Sequence, residues 1–104
     1  MNSKEVSKYI IKLKTIKIGD KWEDIENLLG RPTLERNYVP KETNTVKGVF
    51  RLYNVSYTEN KGKQKEGSVN LLFNTDGKLK SIIVEFESYK RIDGIKNQNR
   101  VGSD

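Results

Sequence analysis

The sequence predicts an α+β domain in which two N-terminal helices pack on one face of a three- to four-stranded antiparallel meander. Three observations carry this reading. Up to Leu29 the apolar residues recur at three- and four-residue steps, which is the spacing of a helix with one buried stripe. After Thr33 the period falls to two, in stretches rich in β-branched and aromatic residues such as GVFRLYNVSY at 48–57, which is the spacing of strands. The connections between these stretches are too short for crossover helices, so successive strands must pair antiparallel.

The first helix is expected over residues 3–13, with Ser3 as N-cap and Val6, Tyr9, Ile10 and Leu13 on the buried stripe. Lys4, Lys8 and Lys12 form a second stripe at four-residue steps, where like charges repel by about 0.2–0.5 kcal/mol per pair. Such a row is either a solvated face or a face turned to an acidic partner. Ile16 and Ile18 follow in a short connection from which either could dip into the core. The next stretch, GDKWEDIENLLGRP at 19–32, has both helix ends written into it. Asp20 has the position of an N-cap and Glu23 that of a capping-box partner, so this helix is expected to start at Lys21. Trp22, Ile25, Leu28 and Leu29 share a stripe, with Trp22 as its large buried anchor. Gly30 supplies a positive φ at the C-terminus, and Pro32 prevents the helix from resuming.

A weak first strand is expected over 34–39, then a polar loop over 40–47 and the longest strand over 48–57. A charged connection at 59–67 leads to a strand over 68–73. Thr75-Asp76-Gly77 is a tight-turn signal before the last strand, 79–87, whose more apolar face carries Ile82, Val84 and Phe86. Residues 1–90 are read as a single domain and 91–104 as a basic polar tail, with disorder expected over 97–104.

The combination G-x-x-x-x-x-[IV]-x-x-x-L-G-x-P, then alternating tyrosines, then V-x-L-x-F-x-x-D-G-K-L-x-x-I resembles the SmpA/OmlA (BamE-like) family. It is carried by Gly19, Ile25, Leu29, Gly30 and Pro32, by Tyr53 and Tyr57, and by Val69, Leu71, Phe73, Asp76, Gly77, Lys78, Leu79 and Ile82. The resemblance implies the helix–helix–sheet arrangement of the β-lactamase inhibitor protein-like fold. The matching residues are caps, turns and core positions, so it speaks to fold more than to function. The chain shows neither a secretion signal nor a lipidated cysteine, which turns the expectation away from outer-membrane assembly. It points instead to a cytoplasmic, protein-binding domain of the kind recruited as an immunity protein beside an antibacterial toxin.

The chain contains no histidine and no cysteine. This excludes disulfides, thiolate metal sites, cysteine nucleophiles and the commonest general base. No phosphate-binding glycine loop or calcium-loop spacing occurs. Glu85 and Glu87 are read as sharing a strand face, with Asp24 and Glu26 as another close pair, but neither has a partner base. No enzyme, no cofactor and no membrane contact is expected.

A net charge of +6 biases the chain toward acidic partners. The leading expectation is a protein-binding inhibitor that neutralises a cognate toxin by association, using the sheet face left open by the helices. Alternation in the longest strand separates Phe50 and Leu52 from Arg51, Tyr53, Val55 and Tyr57 without saying which set faces the helices. If Phe50 and Leu52 face inward, then Arg51, Tyr53 and Tyr57 stand on the open face beside Asn70 and Ser81, with Lys61, Lys63 and Lys65 at the hairpin tip. The other arrangement makes the tyrosines packing residues. The competing expectation is a nucleic-acid-binding module using the loop lysines together with Lys90, Arg91, Lys96 and Arg100 on phosphates and Tyr57 and Tyr89 on bases.

Overall fold

The computed structural model describes residues 1–94. Their order is α1 (Ser3–Lys14), α2 (Trp22–Leu29), β1 (Leu34–Tyr38), β2 (Gly48–Thr58), β3 (Gln64–Phe73), β4 (Leu79–Glu85) and β5 (Lys90–Asp93). The strands form one antiparallel sheet in chain order. The class is therefore α+β with a meander, but of five strands rather than three or four.

The extra strand is β5, which crosses the domain boundary expected at residue 90. KRID carries a single aliphatic residue, so no local pattern announces it. Pairing with β4 from Glu85↔Lys90 to Ile82↔Asp93 holds it. Arg91 adds a tertiary tie: its Nε donates to Asp93 at 2.7 Å and its Nη1 donates to the Leu13 carbonyl at 2.9 Å. That carbonyl lies in the last turn of α1, where a cation complements the helix dipole. The disorder expected over 97–104 lies outside the described residues.

Both helix N-termini differ from expectation for the same reason, which is that another acceptor satisfies the free amides. In α1 the capping box is Asn2 with Glu5, each side chain accepting from the other's backbone N–H. Ser3 instead donates its hydroxyl to the Thr58 carbonyl at 3.3 Å. In α2 the helix begins at Trp22, one residue later than expected, and Lys21 at the N-cap makes no side-chain cap. The Asp20 carboxylate accepts from the Lys17 amide at 2.8 Å, closing the turn before the helix. The Trp22 amide donates to Gly77 at 2.8 Å, so the β3–β4 turn serves as the cap. The C-terminus follows the sequence reading: Gly30 has φ +84° and its amide donates to Glu26.

The sheet register sorts side chains into two sets. On one side, Val49, Arg51 and Tyr53 of β2 stand opposite Phe73, Leu71 and Val69 of β3, which in turn face Leu79, Ile82 and Val84 of β4, while Val55 and Tyr57 continue the set opposite Gly67 and Lys65. Of these, Tyr53, Val55, Tyr57, Val69, Leu71, Phe73, Leu79, Ile82 and Val84 are buried, as is Phe86 beyond the end of β4. These residues form one buried cluster with Val6, Tyr9, Ile10, Leu13, Ile16 and Ile25 of the helices and their connection. Ile18, by contrast, remains 48% exposed. Trp22 is half-buried and meets Phe73 edge-on, ring centroids 5.4 Å apart. β3 starts four residues before its expected position, which shortens the charged connection to 59–63 and puts Gly67 inside the strand. A side chain there is impossible without moving Phe86, whose ring occupies the space of the missing Cβ.

Candidate partner-binding surface

The register places Arg51, Tyr53 and Tyr57 on the side of the sheet that faces the buried cluster, which corrects their assignment to an open binding face. Tyr53 is 4% and Tyr57 6% exposed. Tyr53 donates its hydroxyl to the Gly30 carbonyl at 2.7 Å, and Tyr57 packs against Phe86 with ring centroids 6.0 Å apart. Large apolar bodies with a polar tip are as well suited to a packed interior as to an interface, provided that the tip finds a partner. The physical reason for the reversal is visible along the whole of β2. Phe50 and Leu52 are followed at the same parity by Asn54 and Ser56, whereas Tyr53 is followed by Val55 and Tyr57. The second set buries more apolar area and wins the core.

Arg51 belongs to the same side. Its guanidinium carbon lies 4.0 Å from the centroid of the Trp22 ring and 5.0 Å from that of Phe73. A Glu35 carboxylate oxygen sits 3.7 Å from its Nε, an ion-pair distance too long for a hydrogen bond. Among the described residues that Nε has no hydrogen-bond partner.

Asn70 and Ser81 lie on the opposite face, where Asn70 is half-buried and Ser81 is buried. One row across this face runs Leu34, Leu52, Asn70, Ile83 and Ile92, each opposite the next in register. The adjacent row runs Arg36, Phe50, Leu72 and Ser81. Tyr38 extends it, meeting Phe50 edge-on with centroids 5.3 Å apart. Leu72 and Ser81 are buried, yet neither belongs to the cluster shared with the helices. Phe50, Leu52, Asn70 and Ile83 are half-buried, Leu34 is 43% exposed and Ile92 61%. Leu34, Arg36, Phe50, Leu52 and Asn70 line a shallow hollow of about 390 Å³ in it.

The lysines expected at the hairpin tip separate. Lys61 and Lys63 are exposed in the β2–β3 connection. Lys65 is already within β3 and bonds to the Glu87 carboxylate. That hydrogen bond raises the Lys65 ammonium above its ordinary value and lowers the Glu87 carboxyl below its own. Glu87 lies beyond the end of β4, so it does not share a strand face with Glu85, which stands opposite Lys90. Lys4, Lys8 and Lys12 are exposed along α1 around Ile11, itself 62% exposed.

No family model, curated protein or solved structure matches the chain. Its chemistry therefore has to be read from its own residues. Among the described residues no group of three or more carboxylates could hold a metal ion, and no helix is long and apolar enough to cross a membrane. What the described surface offers is a sheet face with Leu34, Phe50, Leu52, Ile83 and Ile92 across it, with Asn70 at its centre and Arg36 and Lys90 on the two edge strands. The sequence signal for that face was the second set in each strand: Phe50 and Leu52 with Asn54 and Ser56, and Ile83 between Ser81 and Glu85.

Proposed function

We propose that this chain is a small protein-binding inhibitor of the immunity type, which neutralises a cognate toxin by direct association through the sheet face opposite the helices. The observation that carries the reading is the pair of registered rows, Leu34–Leu52–Asn70–Ile83–Ile92 and Arg36–Phe50–Leu72–Ser81. The buried residues of α1 and α2 cluster with the other side of the meander, and no helix among the described residues lies over these rows, in which Leu72 and Ser81 are buried and the remaining residues are half-buried or exposed. Contiguous apolar surface of this kind marks interaction sites on small domains. Its composition, an apolar centre with arginine, amide and aromatic groups at hand, is that of an interface core. Supporting the choice of an acidic partner are the +6 net charge and the cations Arg36 and Lys90, which lie on the strands of this face. The resemblance to SmpA/OmlA proteins agrees with a protein-binding role and adds no chemistry of its own. Association, rather than catalysis, is the activity that a chain without histidine or cysteine supports best.

The test is a binding measurement on the purified chain and the toxin candidate encoded beside it. A stoichiometric complex that blocks the toxin's activity is expected. Phe50→Glu and Leu52→Glu should each weaken it by about 2 kcal/mol or more, the scale of interface hot spots, while far-UV circular dichroism stays unchanged. Folded variants that bind normally would remove the open-face reading. Tight, steeply salt-dependent oligonucleotide binding in place of a protein complex would transfer the function to nucleic acid.

A further inference from the structure

We propose that the outer edge of β1 accepts one more strand, an extended segment of another protein with an acidic residue at its centre. The proposal goes beyond the sheet-face reading and does not rest on it, because a partner seated on the face need not pair with the edge.

β1 ends the sheet: it pairs with β2 from Leu34↔Leu52 to Tyr38↔Gly48, and no strand among the described residues pairs with its other side. Two bonds decide which backbone groups that side presents. The Asn54 amide donates to the Thr33 hydroxyl at 2.9 Å, and the Leu52 carbonyl accepts from the Thr33 amide at 2.8 Å. The backbone groups of even-numbered β2 residues are therefore turned to β1, where an antiparallel ladder matches them with the even-numbered residues opposite. The N–H and C=O groups of Glu35 and Asn37 are left pointing outward. A row of alternating donors and acceptors is matched in register by another extended backbone, and neither a nucleic acid nor a small anion offers such a ladder. The register with β2 runs without a bulge and residues 34–37 are exposed, so the edge is open along its length. Its five residues, with Pro32 and Pro40 beyond the ends, limit an added strand to a similar length.

The side chains select the class of partner. On the open face β1 presents Leu34, Arg36 and Tyr38 in turn, and on the other face it presents Asn37 and Glu35, the latter already beside Arg51. Directly opposite neighbours in a ladder favour opposite charges and apolar or aromatic pairs. The complement is a strand reading apolar, polar, acidic, polar, apolar, with its acid against Arg36. Arg31 before the strand and Lys41 and Lys47 after it are exposed, as is Arg36, and none of the four makes an ion pair among the described residues. An acidic segment meets these cations with opposite charge, whereas a second copy of this chain would bring the same cations against one another.

The probe is the blocked peptide Thr-Val-Thr-Glu-Thr-Val-Thr, titrated into the full, isotope-labelled chain and followed by nuclear magnetic resonance. Saturable binding in the millimolar range or tighter is expected, with slowed hydrogen exchange at the amides of Glu35 and Asn37. With the glutamate opposite Arg36, the threonines on either side of it turn their N–H groups to β1. N-methylation of those threonines should abolish binding, and N-methylation of the glutamate should leave it intact. Arg36→Glu should weaken the peptide by about tenfold, since it replaces an attraction across the ladder by a repulsion. The same variant should prefer a peptide with lysine in place of the glutamate, a reversal that a merely structural arginine would not produce. Absence of saturation, binding that survives N-methylation of the two threonines, or unchanged affinities for both peptides in folded Arg36→Glu would overturn the proposal. If Arg36→Glu does not fold, the N-methylated peptides decide alone. Slowed exchange at Glu35 and Asn37 in a dimer of the chain itself would assign the edge to a second copy and overturn it as well.

Discussion

The phenol of Tyr53 donates a 2.7 Å hydrogen bond to the carbonyl of Gly30, tying the middle of the longest strand to the C-terminal cap of α2. The bond explains why a tyrosine rather than a phenylalanine occupies a site that is 4% exposed. Tyr53→Phe should cost about 1 kcal/mol, the net worth of a typical protein hydrogen bond. Tyr53→Ala should cost about 3–5 kcal/mol, as for other large aromatic truncations in a core. Urea unfolding of both variants checks the pair. A loss below about 0.5 kcal/mol for Tyr53→Ala would place this ring at the surface after all.

The other end of that bond is a backbone constraint. Gly30 has φ +84° and ψ −166°, a region populated almost only by glycine. Gly30→Val should destabilise by about 1–3 kcal/mol through backbone strain alone, since a Cβ there meets nothing within 4 Å. Asn27→Ala, on the exposed side of α2, should stay within about 0.5 kcal/mol of the parent. Thermal unfolding of the two variants side by side separates backbone strain from helix propensity. Equal midpoints would remove the strain argument.

These residues also show what the sequence made legible. Gly30 and Pro32 announced the end of α2 because positive φ and a missing donor are properties of single residues. The alternation of β2 was equally plain, but its direction was not, because alternation defines two faces and leaves their assignment to tertiary packing. Tyrosine tips suggested exposure, and Tyr53 shows such a tip satisfied internally. The N-caps were misplaced where long-range acceptors intervened, with Gly77 receiving the Trp22 amide. β5 was missed because its anchor is Arg91 reaching Leu13 across 78 residues of sequence, which no local window contains.

That anchor is testable. Arg91→Met keeps the aliphatic stem but removes the donors to Asp93 and Leu13. A loss of about 1.5–3 kcal/mol is expected for hydrogen bonds from a charged donor. Asp93→Ala should cost less, because the bond to Leu13 survives. If Arg91→Met unfolds at the parent's urea midpoint, β5 contributes nothing to the domain.

Alkaline pH should weaken the fold through its tyrosines. Burial pushes the Tyr9 phenol from 10.0 up to about 12 and raises Tyr53 as well. From about pH 10 upward the unfolded chain has released protons that the folded chain still holds, so the unfolded state binds fewer protons and stability falls with rising pH. Below that value the contribution is fully present and flat. The Tyr9 hydroxyl also lacks a hydrogen-bond partner among the described residues. Tyr9→Phe should therefore be neutral or stabilising by up to about 1 kcal/mol at neutral pH, and should shallow the alkaline decline. Urea midpoints at about pH 8 and about pH 11 measure both effects. A decline equally steep in Tyr9→Phe would assign it to other groups.

The last expectation separates the two faces of the sheet. Phe50 and Leu52 differ from Tyr53 and Tyr57 only by parity along one strand, yet the register sends the first pair to the rows with Leu34 and Ile83 and the second to the cluster with Phe86 and Ile25. Burial then dictates opposite responses to the same truncation. Phe50→Ser and Leu52→Ser remove half-buried side chains and should cost about 1–2 kcal/mol, leaving a cooperative unfolding transition. Tyr57→Ser removes a ring packed on Phe86 and should cost about 3–5 kcal/mol, a large part of the ~5–15 kcal/mol that holds a domain of this size. In partner binding the order should invert: the Phe50 and Leu52 variants lose affinity while folded, and Tyr57→Ser, wherever it remains folded, retains it. Hydrogen exchange on the complex gives an independent reading, with new protection expected at the amides of β1 and β2 beside Leu34, Arg36 and Phe50. Protection confined to α1, along Lys4, Lys8 and Lys12, would instead assign the contact to the basic helix face.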